Sequence, residues 1–210
     1  ILSVAVYNHY KRINIKTKID IQKTNIMLIG ATGSGKTYIM QVLAKILDVP
    51  LVIVDATTFT EKGYVGEDVE SILYKLYAQS GNDLEKAQKG IVYIDEIDKI
   101  VAKTSGNHQS LDVNGLGVQQ GLLKIIEDAE VQLEVKTEIG IGKKEITMST
   151  KNILFVCGGA FVGLDKIIEK KTKKKKQRIG FSVQNNIVEE SKEFNPDLIT
   201  QSDIIEYGFL

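Results

Sequence analysis

Residues 30 to 37 read Gly-Ala-Thr-Gly-Ser-Gly-Lys-Thr, a complete G-x-x-x-x-G-K-[ST] run. That run works only where a strand gives way to a helix, so it dictates the local fold around it. The flanks agree: Asn25-Ile26-Met27-Leu28-Ile29 is apolar enough for a buried strand, and Tyr38 to Leu47 carries helical spacing. On such a turn the backbone N–H groups of Gly30, Ala31, Thr32, Gly33, Ser34 and Gly35 converge on phosphate oxygens. The following helix adds its positive dipole end. Lys36 is expected to reach the β- and γ-phosphates, and the Thr37 hydroxyl to ligate Mg²⁺. The alternative is a glycine-rich turn that binds nothing, and the complete motif in its strand-to-helix context argues against it. The expected ligand is a nucleoside triphosphate. No N-K-x-D run occurs, so nothing points to guanine.

Beyond this unit, strands and helices alternate. Asp48-Val49-Pro50 stops the first helix, and Leu51 to Val54 reads as a second buried strand. Asp55 to Gly66 reads as a polar loop. Val69, Ile72, Leu73 and Leu76 recur at helical spacing, with a further helix expected over Leu84 to Lys89. Ile91 to Ile94 is a third strand. Ala102 to Gly117 reads as a loop and Val118 to Ile126 as a helix. Val131 to Thr150 suits a hairpin around Gly140-Ile141-Gly142. Asn152 to Cys157 is a fourth buried strand, followed by a helix near Leu164 to Lys170. Continuous apolar strands alternating with helices predict an α/β fold, a parallel sheet flanked by helices. The apolar opening, Ile1 to Tyr7, has the wrong charge order for a signal peptide. It reads as a helix entered midway, so the chain is expected to begin inside a longer protein.

Composition narrows the function. Lys plus Arg and Asp plus Glu number 27 each, so no global field favours nucleic acid or an anionic membrane. One cysteine and two histidines cannot build a zinc site. Cys157, inside an apolar run, is expected to be a buried small hydrophobe. No stretch approaches the ~20 apolar residues of a membrane span.

The third strand delivers Asp95-Glu96 to its C-terminal end, the edge where open α/β sheets bind ligands. Alone, either acid could cap the helix that follows. Downstream of a phosphate loop, Asp95 is expected to hold Mg²⁺ through water. Glu96 is expected to polarise the water that attacks the γ-phosphate, which makes Glu96 and Lys36 the catalytic pair.

These runs resemble the ClpX family of AAA+ unfoldases. Asp55-Ala56-Thr57-Thr58, the stretch Gly63-Tyr64-Val65-Gly66-Glu67-Asp68-Val69-Glu70, and GIVYIDEIDKI over Gly90 to Ile100 carry the likeness. Gly117-Val118-Gln119-Gln120 and Gly158-Gly159-Ala160-Phe161 extend it over nearly the whole chain. The resemblance implies the large domain of an AAA+ P-loop NTPase, incomplete at both ends, with the zinc-binding N-domain and small helical C-subdomain absent. It implies an ATP-hydrolysing homohexamer that unfolds tagged proteins and threads them into the ClpP peptidase. A cytoplasmic setting follows, the bacterial cytosol or an organelle matrix, with no nucleic acid and no membrane as partner. Tyr64 and Val65 then belong to a pore loop that grips substrate, and flanking glycines give such a loop its freedom. The alternative is a turn whose tyrosine folds back onto the core. Ile179-Gly180-Phe181, after the lysine-rich stretch Lys170 to Lys176 (read as a solvated loop), resembles the tripeptide that docks on ClpP.

The chain also departs from the family. Leu111-Asp112-Val113 stands where Arg-Asp-Val is usual, and Gly142-Lys143-Lys144 lacks the family's Arg-Lys-His run. The polar sensor that the family resemblance would place after the fourth strand is not evident. Neither Arg12 nor Arg178 matches the arginine finger, so the chain by itself is expected to be inactive. Two other functions stay open: an AAA+ remodeller of another substrate such as a nucleoprotein complex, and an inactive nucleotide-binding paralogue.

Overall fold

The computed structural model describes residues 1–14, 22–60, 66–101, 113–136, 142–177 and 198–210. Its centre is a four-stranded parallel sheet built from β1 (Ile26–Ile29), β2 (Leu51–Asp55), β3 (Ile91–Asp95) and β6 (Leu154–Gly159), in the order β1-β6-β3-β2. β4 (Glu130–Lys136) and β5 (Lys143–Ser149) pair antiparallel as a separate hairpin. Among the described residues, seven α-helices accompany the strands: α1 (Leu2–Asn14), α2 (Lys36–Leu47), α3 (Ser71–Gln79), α4 (Leu84–Ala87), α5 (Val113–Ile126), α6 (Leu164–Gln177) and α7 (Gln201–Tyr207).

β3 shows why the sheet is parallel and central. Ile91, Val92, Tyr93 and Ile94 are all fully buried, so both faces must be covered. Its residues alternate between two cores. Ile91 and Tyr93 join Val6 of α1 and Met40 and Ala44 of α2 on one face. Val92 and Ile94 join Ile72 and Leu76 of α3, and Val118 and Leu122 of α5, on the other. The register aligns Ile29 with Gly159 and Asp55 with Asp95, so these strand ends fall along one edge.

Local chemistry sets the boundaries. α2 opens after Gly35 (φ 85°) and closes at Asp48 (φ 53°), two residues before Pro50. The Asp83 carboxylate accepts from Lys86 N at 3.1 Å and starts α4, which ends at Ala87, short of the expected Lys89. α7 begins with a capping box in which Thr200 N donates to Asp203 Oδ2 at 2.8 Å, and it ends on Gly208 (φ 116°).

Several expectations are corrected. The stretch from Val113 to Gly117 is helix rather than loop. Gly115 is there for close approach: an added Cβ would lie 2.6 Å from the Ile100 carbonyl oxygen. Lys170 to Lys176 also continues a helix, because the buried Leu164 and Ile168 anchor α6 and lysine propagates a helix well. In the expected Asp55–Gly66 loop, Ala56 to Thr58 forms a 3₁₀ turn. The Asp55 carboxylate caps it by accepting from Thr57 N at 2.8 Å, and Ala56 and Phe59 are buried. Cys157 is only partly covered, although burial pushes its thiol up to about 12.

Candidate functional site

The phosphate loop leaves β1 where Gly30 N donates to Gly159 O at 3.1 Å, which fixes its root to β6. Ser34 N donates back to Ala31 O at 3.2 Å and closes the turn. Gly33 (φ 80°) and Gly35 (φ 85°) sit in left-handed backbone that a side chain would strain. Lys36 follows at the start of α2, and its ammonium donates to Gly30 O at 2.7 Å and Ala31 O at 3.1 Å. One loop thus carries a fixed cation beside a helix N-terminus, an arrangement suited to an anion.

The acid pair arrives from β3. The Thr37 hydroxyl donates to Asp95 Oδ2 at 2.9 Å, which joins the first turn of α2 to the end of that strand. Asp95 Oδ1 accepts from the Tyr93 hydroxyl at 3.1 Å and from Glu96 N at 3.0 Å. Burial, with the Asp95 carboxylate a smaller cause, raises the Tyr93 phenol to about 12, so it stays a donor. Glu96 is exposed and held at φ 54°. Left-handed backbone at a non-glycine residue is costly and clusters at functional sites.

A third element completes the edge. Asp98 is 5% exposed, and its two oxygens accept from Ala160 N at 3.2 Å and Phe161 N at 3.3 Å. This ties the turn after Glu96 to the end of β6. Gly159 is needed there because an added Cβ would lie 2.6 Å from Asp98 Oδ1. Thr32, Gly33, Gly35, Lys36 and Thr37 on one side, and Asp95, Glu96, Asp98, Lys99, Gly159 and Ala160 on the other, line a cleft of about 320 Å³. Thr37 and Asp95 offer a hydroxyl and a carboxylate close together, hard oxygen donors that fit Mg²⁺. Among the described residues no group of three or more His, Cys, Asp or Glu could cage a metal. A Mg²⁺ ion here would therefore rely on phosphate and water oxygens for the rest of its shell, as that ion usually does.

A model of the AAA domain (Cdc48 subfamily) matches residues 21–205 of the chain. The chain belongs to that AAA domain family. The chain is also 45% identical, over its whole length, to the ATP-dependent Clp protease ATP-binding subunit ClpX of Treponema denticola. It is 46% identical, over 98% of its length, to ClpX 2 of Wolinella succinogenes. It spans 51% of each of those proteins, about half their length.

Within this AAA domain, Thr32, Gly33, Gly35, Lys36 and Thr37 come together with Asp95 and Glu96 at one cleft. Gly30, Ala31 and Ser34 do not line it and shape the loop through its internal hydrogen bonds. Tyr64 and Val65, and Ile179, Gly180 and Phe181, lie outside the described residues. The neck of the first segment is described. Thr60 N donates to Glu67 O at 3.1 Å, and Glu67 N donates to Thr58 O at 3.3 Å. Among the described residues, Lys171 of α6 pairs with Asp203 of α7.

Sequence reasoning passed over three residues. Tyr93 reads as one more apolar position of a strand. Asp98 receives no role from the sequence, and its burial and its hydrogen bonds to Ala160 and Phe161 reveal the bracing one. Gln119 is buried in α5, where its amide donates to Ile100 O at 3.0 Å and its oxygen accepts from Leu210 N at 3.1 Å. A polar residue within the apolar pattern Val118, Leu122, Ile125 was the available signal for it.

Proposed function

We propose that this AAA domain binds ATP with Mg²⁺, hydrolyses it, and drives protein unfolding within a Clp-type homohexamer. That ring threads tagged or unfolded proteins through its axial pore into a ClpP-like peptidase, in the cytosol or an organelle matrix. The observation that carries the ATPase reading is the 2.9 Å contact between Thr37 and Asp95, with Lys36 and Glu96 lining the same cleft. In this reading the loop N–H groups and Lys36 hold the phosphates. Thr37 and Asp95 hold Mg²⁺, which when bound draws charge off the β- and γ-phosphate oxygens. Glu96 orients the attacking water and takes its proton. The Clp assignment is supported by the names of the two relatives. The balance of 27 basic and 27 acidic residues speaks against a nucleic-acid remodeller.

Tyr64 and Val65 are proposed to grip substrate, and Ile179, Gly180 and Phe181 to dock on the peptidase. The test is ATP-driven loss of native fluorescence from a tagged, folded reporter, with the intact protein and its peptidase. Glu96→Gln should still bind ATP but turn it over about 10²- to 10⁴-fold more slowly. Tyr64→Ala should hydrolyse ATP without unfolding the reporter, and Phe181→Ala should unfold it without binding the peptidase. Turnover that never unfolds any tagged reporter would assign the domain to remodelling of another substrate.

A further inference from the structure

Tyr93 occupies a place that the phosphate-loop chemistry alone does not require. It is fully buried on β3, two residues before Asp95 and therefore on the same face of the strand. Its ring packs with Met40 and Ala44 of α2, and its hydroxyl reaches Asp95 Oδ1 at 3.1 Å. The neighbouring strand is cut to fit it: a Cβ on Gly158 of β6 would lie 2.1 Å from the Tyr93 hydroxyl oxygen and 2.7 Å from the ring carbon that bears it. A glycine in a strand interior is costly and marks a close approach. Here the approach is made by a phenol whose polar end touches a functional carboxylate.

The consequence lies in the carboxylate's rotation. Asp95 Oδ1 takes the phenol and Glu96 N, while Oδ2 takes the Thr37 hydroxyl. With Oδ1 held by two donors, Oδ2 is left facing Thr37. We propose that Tyr93 is a positioning residue, whose hydroxyl fixes the rotation of Asp95 so that Oδ2 and the Thr37 oxygen present one prepared pair to Mg²⁺. A buried tyrosine usually finds some partner for its hydroxyl. What distinguishes this one is that the partner is the proposed metal acid itself, and that β6 gives up a side chain to admit the ring. Partners of this kind, which orient a metal-binding carboxylate from behind, typically contribute 10- to 100-fold to metal affinity. Glu96 N remains in place when the phenol is removed, which puts the expected effect near the lower figure.

This inference rests on the nucleotide reading of the cleft but not on protein unfolding. The experiment is equilibrium binding of a fluorescent ADP analogue to the intact protein, titrated with MgCl₂ and repeated in EDTA. Tyr93→Phe keeps the ring and removes only the hydroxyl. It is expected to raise the Mg²⁺ concentration for half-maximal enhancement of binding about tenfold and to leave metal-free binding unchanged. In an Asp95→Asn background the same substitution should add nothing, because its effect runs through that carboxylate. An unchanged Mg²⁺ midpoint in Tyr93→Phe overturns the proposal, as does an equal loss of binding with and without metal. Wild-type binding that ignores Mg²⁺ altogether overturns it together with the metal reading of Thr37 and Asp95.

Discussion

Lys36 donates to two carbonyls of the same loop whose N–H groups are proposed to meet phosphate, at 2.7 Å and 3.1 Å. Its ammonium is therefore held against the cleft by short contacts rather than extended into solvent. Charge-assisted hydrogen bonds each contribute about 1.5–3 kcal/mol. Lys36→Ala is accordingly expected to weaken ATP binding about 10- to 100-fold, measured by titration calorimetry. Affinity within twofold of wild type would remove Lys36 from the binding role. At this scale the sequence was most legible where chemistry is written as a fixed spacing, as in Gly30 to Thr37 and Asp95-Glu96. It was least legible where a residue's role depends on what lies behind it. Nothing in Ile-Val-Tyr-Ile says that the tyrosine will meet the aspartate two places on, or that a glycine on another strand will make room for it.

Among the elements, α1 is docked in part through a titratable ring, His9. His9 is 3% exposed and hydrogen-bonds through Nε2 to Asn152 O at 3.0 Å, while Arg12 of the same helix donates to Lys151 O at 2.6 Å. Burial, aided by the Arg12 and Lys23 charges, lowers the His9 pKa from 6.5 to about 4. The folded state thus holds the ring neutral where the unfolded chain would begin to protonate it. This contribution is fully present above about pH 6.5 and is lost as the pH falls towards 4, by up to about 3 kcal/mol. Thermal melting followed across that window should show the loss, and His9→Gln, which keeps an amide donor but cannot titrate, should flatten it. Parallel pH curves for the two proteins would refute the assignment.

Other elements were read with mixed success, for identifiable reasons. Apolar runs located all four strands of the sheet, but only the central β3 and β6 are buried on both faces. The edge strands β1 and β2, expected to be buried, leave Met27 and Ile53 exposed. Glycine misled at the start of α5. Gly115 and Gly117 lower helix propensity, but the close passage of Ile100 made a small residue necessary at the first of them. α7 was overlooked even though Thr200 and Asp203 at capping-box spacing, with Gly208 beyond, spell out both its ends.

For the molecule as a whole, the parallel sheet gathers strand ends at one edge, and the placement of its few arginines acquires meaning there. Arg12 is engaged at Lys151 and Asn152, just before β6 begins, whereas the cleft lies where β6 ends. Arg178 lies outside the described residues. Phosphoryl transfer in this class of site commonly depends on an arginine that stabilises the transition state, at about 10³- to 10⁵-fold in turnover. With Arg12 engaged away from the cleft and Arg178 not matching the finger by family resemblance, the 210-residue chain on its own is expected to bind ATP while hydrolysing it at least about 10³-fold more slowly than the assembled protein. A steady-state phosphate-release assay settles the point, and brisk turnover by the isolated chain would refute it.

The hydrogen-bonded neck at Thr58, Thr60 and Glu67 has a consequence for how such a protein can diversify. A segment whose two ends are already fastened together can change in length or composition at small entropic cost, since closure grows only slowly with loop length. Because those hydrogen bonds join the described residues on either side, a change in the length of the chain between Thr60 and Glu67 is expected to leave the neck paired. If Tyr64 and Val65 grip substrate as proposed, exchanging that segment changes which proteins are unfolded while ATP turnover is retained.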